Sequence, residues 1–204
     1  LPEAQVRAFL DKHIPSAEEV AALQEQVEAE DAWQHGDTDT ALDKLRHAVD
    51  TDPENDDARF DLVKLLLQQG QYDDAQVAFA PVVAKAEHVR KLDSLSRWLQ
   101  AVQHAAPDTA AADAAIAANK RDFDARFSRV QTLLVQQHWT DALDELLEIL
   151  MRDKAWNDDL ARKTYIAILD IMEPPQVSLP DGKIAPEDPT MATYRRRLSS
   201  VILS

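Results

Sequence analysis

Six histidines, His13, His35, His47, His88, His104 and His138, are the side chains of this sequence best suited to bind a metal ion or carry a proton near neutral pH. Either task needs partners converging on one point, and a metal-binding helix shows this as paired histidines one turn apart around a glutamate. No such pair occurs, and the chain has no cysteine to complete a metal set or serve as a nucleophile. Asp50, Asp52, Glu54 and Asp56 alternate as the oxygen ligands of a calcium loop would, but the central glycine and the glutamate six residues beyond it are missing. These acids read instead as caps, lying where a following helix presents its free N–H groups and the positive end of its dipole. Neither a glycine-rich phosphate loop nor a Gly-x-Ser-x-Gly elbow is present. The expectation is a chain that is not an enzyme, with no catalytic residue, no metal and no cofactor.

Charge narrows the partners. Against 22 basic side chains stand 37 acidic ones, a formal net charge of −15, which opposes a nucleic-acid backbone. Arg195, Arg196 and Arg197 form the single basic cluster, too small for a nucleic-acid footprint. Apolar runs are a few residues long, far short of the roughly 20 that span a bilayer, so no membrane segment is expected. The three arginines admit two readings. They offset neighbouring acids on a solvated helix face, or they belong to a partner-docking helix with Tyr194, Leu198, Val201, Ile202 and Leu203 as its apolar side.

The elements that must position such groups repeat. Residues 57 to 75 recur without a gap at 124 to 142, with Asp57, Ala58, Arg59, Phe60, Val63, Leu66, Leu67, Gln69, Asp74 and Ala75 matched sixty-seven residues later. That offset is close to twice thirty-four, and Gly36, Ala41, Leu45 and Ala48 are followed thirty-four residues on by Gly70, Ala75, Phe79 and Val82. Thirty-four is the period of a tetratricopeptide array, in which a turn residue reverses the chain between two helices and small residues let them approach. Few glycines and many Ala, Leu, Asp and Gln favour helix throughout. The fold class expected is all-α, a tetratricopeptide helical solenoid closed by a C-terminal docking helix.

Along the chain, Val6, Phe9 and Leu10 place a helix within residues 2–13, ended by Pro15. Ser16 and Glu19 make a capping box for a helix reaching about His35. The array is expected over 16–172, with Pro81 ending or bending the second helix of its second repeat and a shortened third repeat between 87 and 119. Glu173 to Pro189, rich in proline, reads as a loop, and 190–204 as the last helix. Trp33, Tyr72, Trp98, Trp139 and Trp156 read as packing residues. The inner-face positions read Gln26 and Glu30, then Phe60 and Lys64, in place of the Asn and Lys that a carboxylate clamp needs.

Leu1 to His13, with its Gln-Val-Arg-Ala-Phe-Leu-Asp run, is similar to the closing helix of a thioredoxin domain, which makes 1–14 its remnant. Together with Met151-Arg-Asp-Lys154, Trp156-Asn-Asp-Asp159, Ala161-Arg-Lys-Thr164 and Tyr194-Arg-Arg-Arg-Leu198, the sequence resembles the bacterial chaperedoxin family, also called CnoX or YbbN. The resemblance implies a cytoplasmic, stress-responsive holdase. Its tetratricopeptide half would bind unfolded client proteins and deliver them to the chaperonin GroEL, and to other chaperones, through Tyr194, Arg195, Arg196, Arg197, Leu198, Val201 and Ile202. A structural adaptor or self-assembly module without client binding is the alternative.

Overall fold

A computed structural model describes residues 14–174 and 187–203. The helix expected over 2–13 and most of the proline-rich loop lie outside the described residues. Among these, ten α-helices follow one another with no strand: α1 (Ala17–Gln34), α2 (Thr38–Thr51), α3 (Asp56–Gln68), α4 (Tyr72–Phe79), α5 (Arg90–His104), α6 (Ala110–Ala118), α7 (Phe123–Val135), α8 (Trp139–Leu150), α9 (Trp156–Met172) and α10 (Pro189–Leu203). A 3₁₀ stretch, Ala80–His88, continues α4.

Local chemistry sets the starts. Ser16 and Glu19 form the reciprocal capping box at α1. Asn55 caps α3 by accepting from the Ala58 N–H at 2.9 Å, and Asp122, sixty-seven residues on, caps α7 in the same way at 3.0 Å. The hairpin turns also repeat. Gly36 and Asp37 donate back to the carbonyls of Trp33 and Ala32, Gly70 and Gln71 to Leu67 and Leu66, and Gln137 and His138 to Leu134 and Leu133. This paired closure needs a left-handed residue, supplied at φ 79° by Gly36, φ 71° by Gly70 and φ 58° by Gln137. Pro81 changes the second repeat as its missing N–H dictates: α4 stops at Phe79 and the chain tightens into the 3₁₀ stretch.

Each hairpin packs on the next. One apolar cluster joins α1 to α5, around Leu45, Leu65, Leu66, Leu92, Leu95 and Trp98. A second joins α7 to α10, around Leu143, Leu146, Ile149, Leu150, Tyr165 and Ile168. Trp139 packs against both clusters, its ring edge-on to Trp98 at 4.9 Å. Stacking of this kind places core Leu and Ile side chains fully out of water, each burial contributing about 1.5–3 kcal/mol.

The array departs from simple serial order at α9. Asn157, Asp158 and Asp159 have φ of 48°, 54° and 62°, three consecutive left-handed residues of the types that tolerate this conformation. They break the helix at its start, and the remainder packs against α5 as well as α8. Its C-terminal turn reaches α3, and Ile171 belongs to the cluster of the first three hairpins.

Candidate protein-interaction surfaces

The first helix of each hairpin lines the inner side of a tetratricopeptide stack, where α1, α3 and α5 bring Gln26, Glu30, Asp61, Lys64, Arg90 and Ser94. Most of these side chains are engaged within the molecule. Asp170 of α9, only 6% exposed, accepts two bonds from the Arg90 guanidinium, one of them from Nε at 2.9 Å, and one from Ser94 Oγ at 3.0 Å. Lys64, almost wholly buried, donates to the Glu173 carbonyl at 2.5 Å, so its ammonium closes the C-terminal end of α9. The same ammonium lies 5.4 Å from the Trp33 ring centre and 5.7 Å from that of Phe60. Burial lowers its pKa from the ordinary lysine range to about 8, with the Asp61 and Glu173 charges opposing the fall.

The last turn of α9 therefore lies over α3 and α5 on the inner side of the stack. What stays open there is a cleft of about 240 Å³ between Trp33 and Trp139, floored by Lys64, Gln68, Ile171 and Met172. Beside it, Gln26 donates to Asp61 at 3.0 Å and accepts from Asn55 at 3.4 Å. Glu30 faces this carboxylate. Burial first, and then the Asp61 charge, raises the Glu30 pKa to about 7.

The residues singled out on the last helix divide between two sides. Tyr194 and Leu198, with Met191, are buried against α8 and α9, and Val201 packs partly into the same cluster. The backbone carbonyl of Tyr194 accepts from the buried Tyr165 hydroxyl at 2.8 Å, and burial pushes the Tyr165 phenol well above its ordinary range. Tyr194 itself donates to Asp144 at 3.1 Å. Arg197 pairs with Asp144 and lies 5.0 Å over the Tyr194 ring, while Arg195 pairs with Glu187 and stands 3.7 Å from Glu173. The apolar side proposed for a partner is therefore occupied by the protein's own core at Tyr194 and Leu198. Arg196, reaching back to the Ala192 carbonyl at 3.3 Å, faces outward, as do Ile202 and Leu203, the last 85% exposed. Met151, exposed in the turn between α8 and α9, adds a further apolar side chain to the surface of the last repeats.

Sequence reading placed Lys64 on the inner face without its partner, took Glu173 only as the start of a loop, and passed over Arg90 and Asp170. A signal existed for two of them, since Lys64 interrupts Val63–Leu65 and Asp170 interrupts Ile168–Ile171. A charge inside an apolar run on a helix marks a buried ion that has a partner.

Serial antiparallel helix hairpins sharing a continuous core define a helical-repeat scaffold. Within that class the repeat is the tetratricopeptide: one tetratricopeptide-repeat family model matches residues 32–99 and a second matches residues 102–180. The fold is an all-α tetratricopeptide solenoid, a protein-interaction module. No curated protein matches the sequence. A solved structure described as a domain of protein VP0806, of unknown function, from Vibrio parahaemolyticus RIMD 2210633 is similar at 22% identity, covering 87% of this chain and 97% of that one, with a TM-score of 0.38. Among the described residues no helix is long and apolar enough to cross a membrane.

Proposed function

We propose that this chain is the protein-binding half of a thioredoxin-linked, cytoplasmic holdase, which keeps unfolded clients soluble and hands them to a chaperonin. The observation that carries this reading is the exposure of apolar side chains on the last repeats, where Met151, Ile202 and Leu203 remain in contact with water on a chain of net charge −15. Apolar side chains left outside offer purchase to unfolded segments, while the surrounding acids oppose co-aggregation of the complex. Arg196 adds a cation on the outward side of α10. Binding of this kind is non-covalent and needs no cofactor.

The test is light scattering of a heat-denatured client with the wild-type chain and with Met151→Asp combined with Leu203→Asp. Suppression by the wild type that is lost in the variant supports the reading, and equal aggregation with and without wild type counts against it. Chaperonin transfer is checked by co-sedimentation of the Arg196→Ala, Ile202→Asp chain. Point changes serve better than removal of 190–204, because removal would uncover the cluster that Tyr194 and Leu198 cover.

The placement of α9 favours a second reading. A groove filled by its own helix suits a structural adaptor or self-assembly module that touches no client. Mass in solution, measured separately from client binding, distinguishes the two.

A further inference from the structure

A helical stack has two ends, and at each of them a helix lacks its next neighbour. Among the described residues α3 packs on α2, α5 on the 3₁₀ stretch, α7 on α6 and α9 on α8, but nothing precedes α1. On α1 the small Ala22 and Ala29 are buried toward the array, while Val20, Leu23 and Val27 stand outside at 53%, 51% and 56% exposure. Spacings of three and four residues put these three on one stripe. At the other end α10 covers α8 and α9 with Met191, Tyr194 and Leu198, and turns Ile202 and Leu203 outward.

The two ends carry opposite charge. Helix α1 holds six acids and no lysine or arginine, and Lys44 takes two of them, Glu25 and Glu28. Glu19 and Asp31, which at 100° per residue border the stripe on its two sides, meet no lysine or arginine among the described residues. Glu19 accepts from the Ser16 N–H, and Asp31 lies 3.6 Å from the exposed His35. Helix α10 holds three arginines and no acid. Glu187 takes Arg195 and Asp144 takes Arg197, whereas Arg196 bonds to the Ala192 carbonyl and the Thr193 hydroxyl and to no acid among the described residues. Lys154, exposed, reaches the Ile202 carbonyl at 3.5 Å and likewise meets no acid there. Two α1 stripes face to face would oppose acids, and two α10 ends would oppose cations. Only unlike ends attract.

We propose that the α1 stripe of one molecule receives the α10 end of a second copy. Ile202 and Leu203 pack against Val20, Leu23 and Val27, and Arg196 and Lys154 lie toward Glu19 and Asp31. Such a head-to-tail contact joins two different surfaces, so each added molecule presents a free end to the next. This inference rests on the self-assembly reading above. It shares α10 with client binding, but α1 belongs to assembly alone.

Sedimentation equilibrium of the 204-residue chain tests it, at concentrations up to the order of 500 µM because a contact this small is of the transient class. The mean mass of wild type is expected to rise past that of two molecules. Leu23→Asp, and separately Ile202→Asp with Leu203→Asp, should each weaken association on the order of tenfold or more, since each chain has lost one of its two surfaces. All three changes fall on exposed side chains, so none opens the core. An equal mixture of the two variants should form pairs and stop there, because one brings an intact α10 and the other an intact α1. Wild type that remains single overturns the proposal together with the self-assembly reading. Association that survives in either variant alone overturns the proposal but keeps that reading, and survival in the α10 variant only would assign the stripe to a symmetric pair. A mixture without pairs overturns the proposal as well. The Leu23→Asp chain separates assembly from client binding, since its α10 is untouched and it should still suppress client aggregation.

Discussion

The residues shared by 57–75 and 124–142 fold twice in one molecule, and the two copies settle differently. Val63, Leu66 and Leu67 are buried as Val130, Leu133 and Leu134 are, so the apolar seam is the same. One polar contact repeats, since Arg126 Nε donates to the Lys120 carbonyl at 2.9 Å as Arg59 does to that of Pro53, and the other diverges. Arg59 donates from Nη1 to the Ala78 carbonyl at 2.9 Å and from Nη2 to that of Pro53 at 3.1 Å. Its counterpart Arg126 bonds to the carboxylate of Glu145, the residue equivalent to Ala78, and Arg129 reaches the same carboxylate at 3.2 Å. The cause lies three residues further on, where Pro81 corresponds to Glu148. In a 3₁₀ ladder the Ala78 carbonyl would receive the N–H of residue 81, and proline has none. Arg59 supplies the missing donor. In the later copy α8 runs intact to Leu150, and the arginine is free to take a charged partner.

That contrast can be broken in order of expected effect. Glu145→Ala takes the close carboxylate from the buried Arg126 guanidinium, which keeps the Lys120 carbonyl at 2.9 Å and Glu148 at 4.0 Å, while Arg129 keeps Asp113 at 3.3 Å. The loss in urea unfolding should be about 3 kcal/mol. Arg59→Ala leaves carbonyls unpaired but no charge, and about 1–3 kcal/mol is expected from the same measurement. A result in which the two losses are equal would remove the distinction drawn between the copies. The turns sharpen it further. Gly70→Ala, at φ 71°, should destabilise by roughly 1 kcal/mol. Gln137→Gly relieves φ 58° but gives up the 3.0 Å bond from Gln137 Nε2 to the Gln68 carbonyl, so its thermal midpoint should move less than that of Gly70→Ala.

The smallest effect concerns Asp61, whose counterpart is the uncharged Ser128. Burial, and after it the Asp61 charge, holds the Glu30 pKa at about 7, above its ordinary value of 4.5. The sign follows from proton uptake on folding: the contribution is fully present below 4.5 and is lost as pH rises through 7. Glu30→Gln should therefore flatten the decline in stability over that window and leave the variant more stable than wild type at pH 8. Denaturation midpoints at pH 5, 6, 7 and 8 measure it, and parallel curves for the two proteins would contradict it.

Repeat length, hairpin positions and most helix ends were legible because they depend on neighbours in the chain. Ser16 with Glu19, the glycine turns and Pro81 act within one or two turns of themselves. The route of α9 was not legible, since it depends on Asp170 meeting Arg90 across 80 residues and Lys64 meeting Glu173 across 109. The last helix shows a different limit. Its apolar side at Tyr194 and Leu198 was visible, but amphipathic spacing cannot tell a face spent on the protein's own core from one offered to a partner. Burial against α8 and α9 decides that question for these two residues, and leaves Ile202 and Leu203 on the outside.

Because α9 bridges hairpins far apart in sequence, the molecule should not assemble as a row of tiles added from either end. A strictly local array can nucleate anywhere and propagate at the speed of adjacent contacts. Here the last leading helix must return to the second before the interior is complete, which lengthens the mean chain separation of native contacts and slows acquisition of the native state. During synthesis the early hairpins leave the ribosome while their closing member is still unmade, so this stretch of the nascent chain spends that interval with Ile171's berth empty.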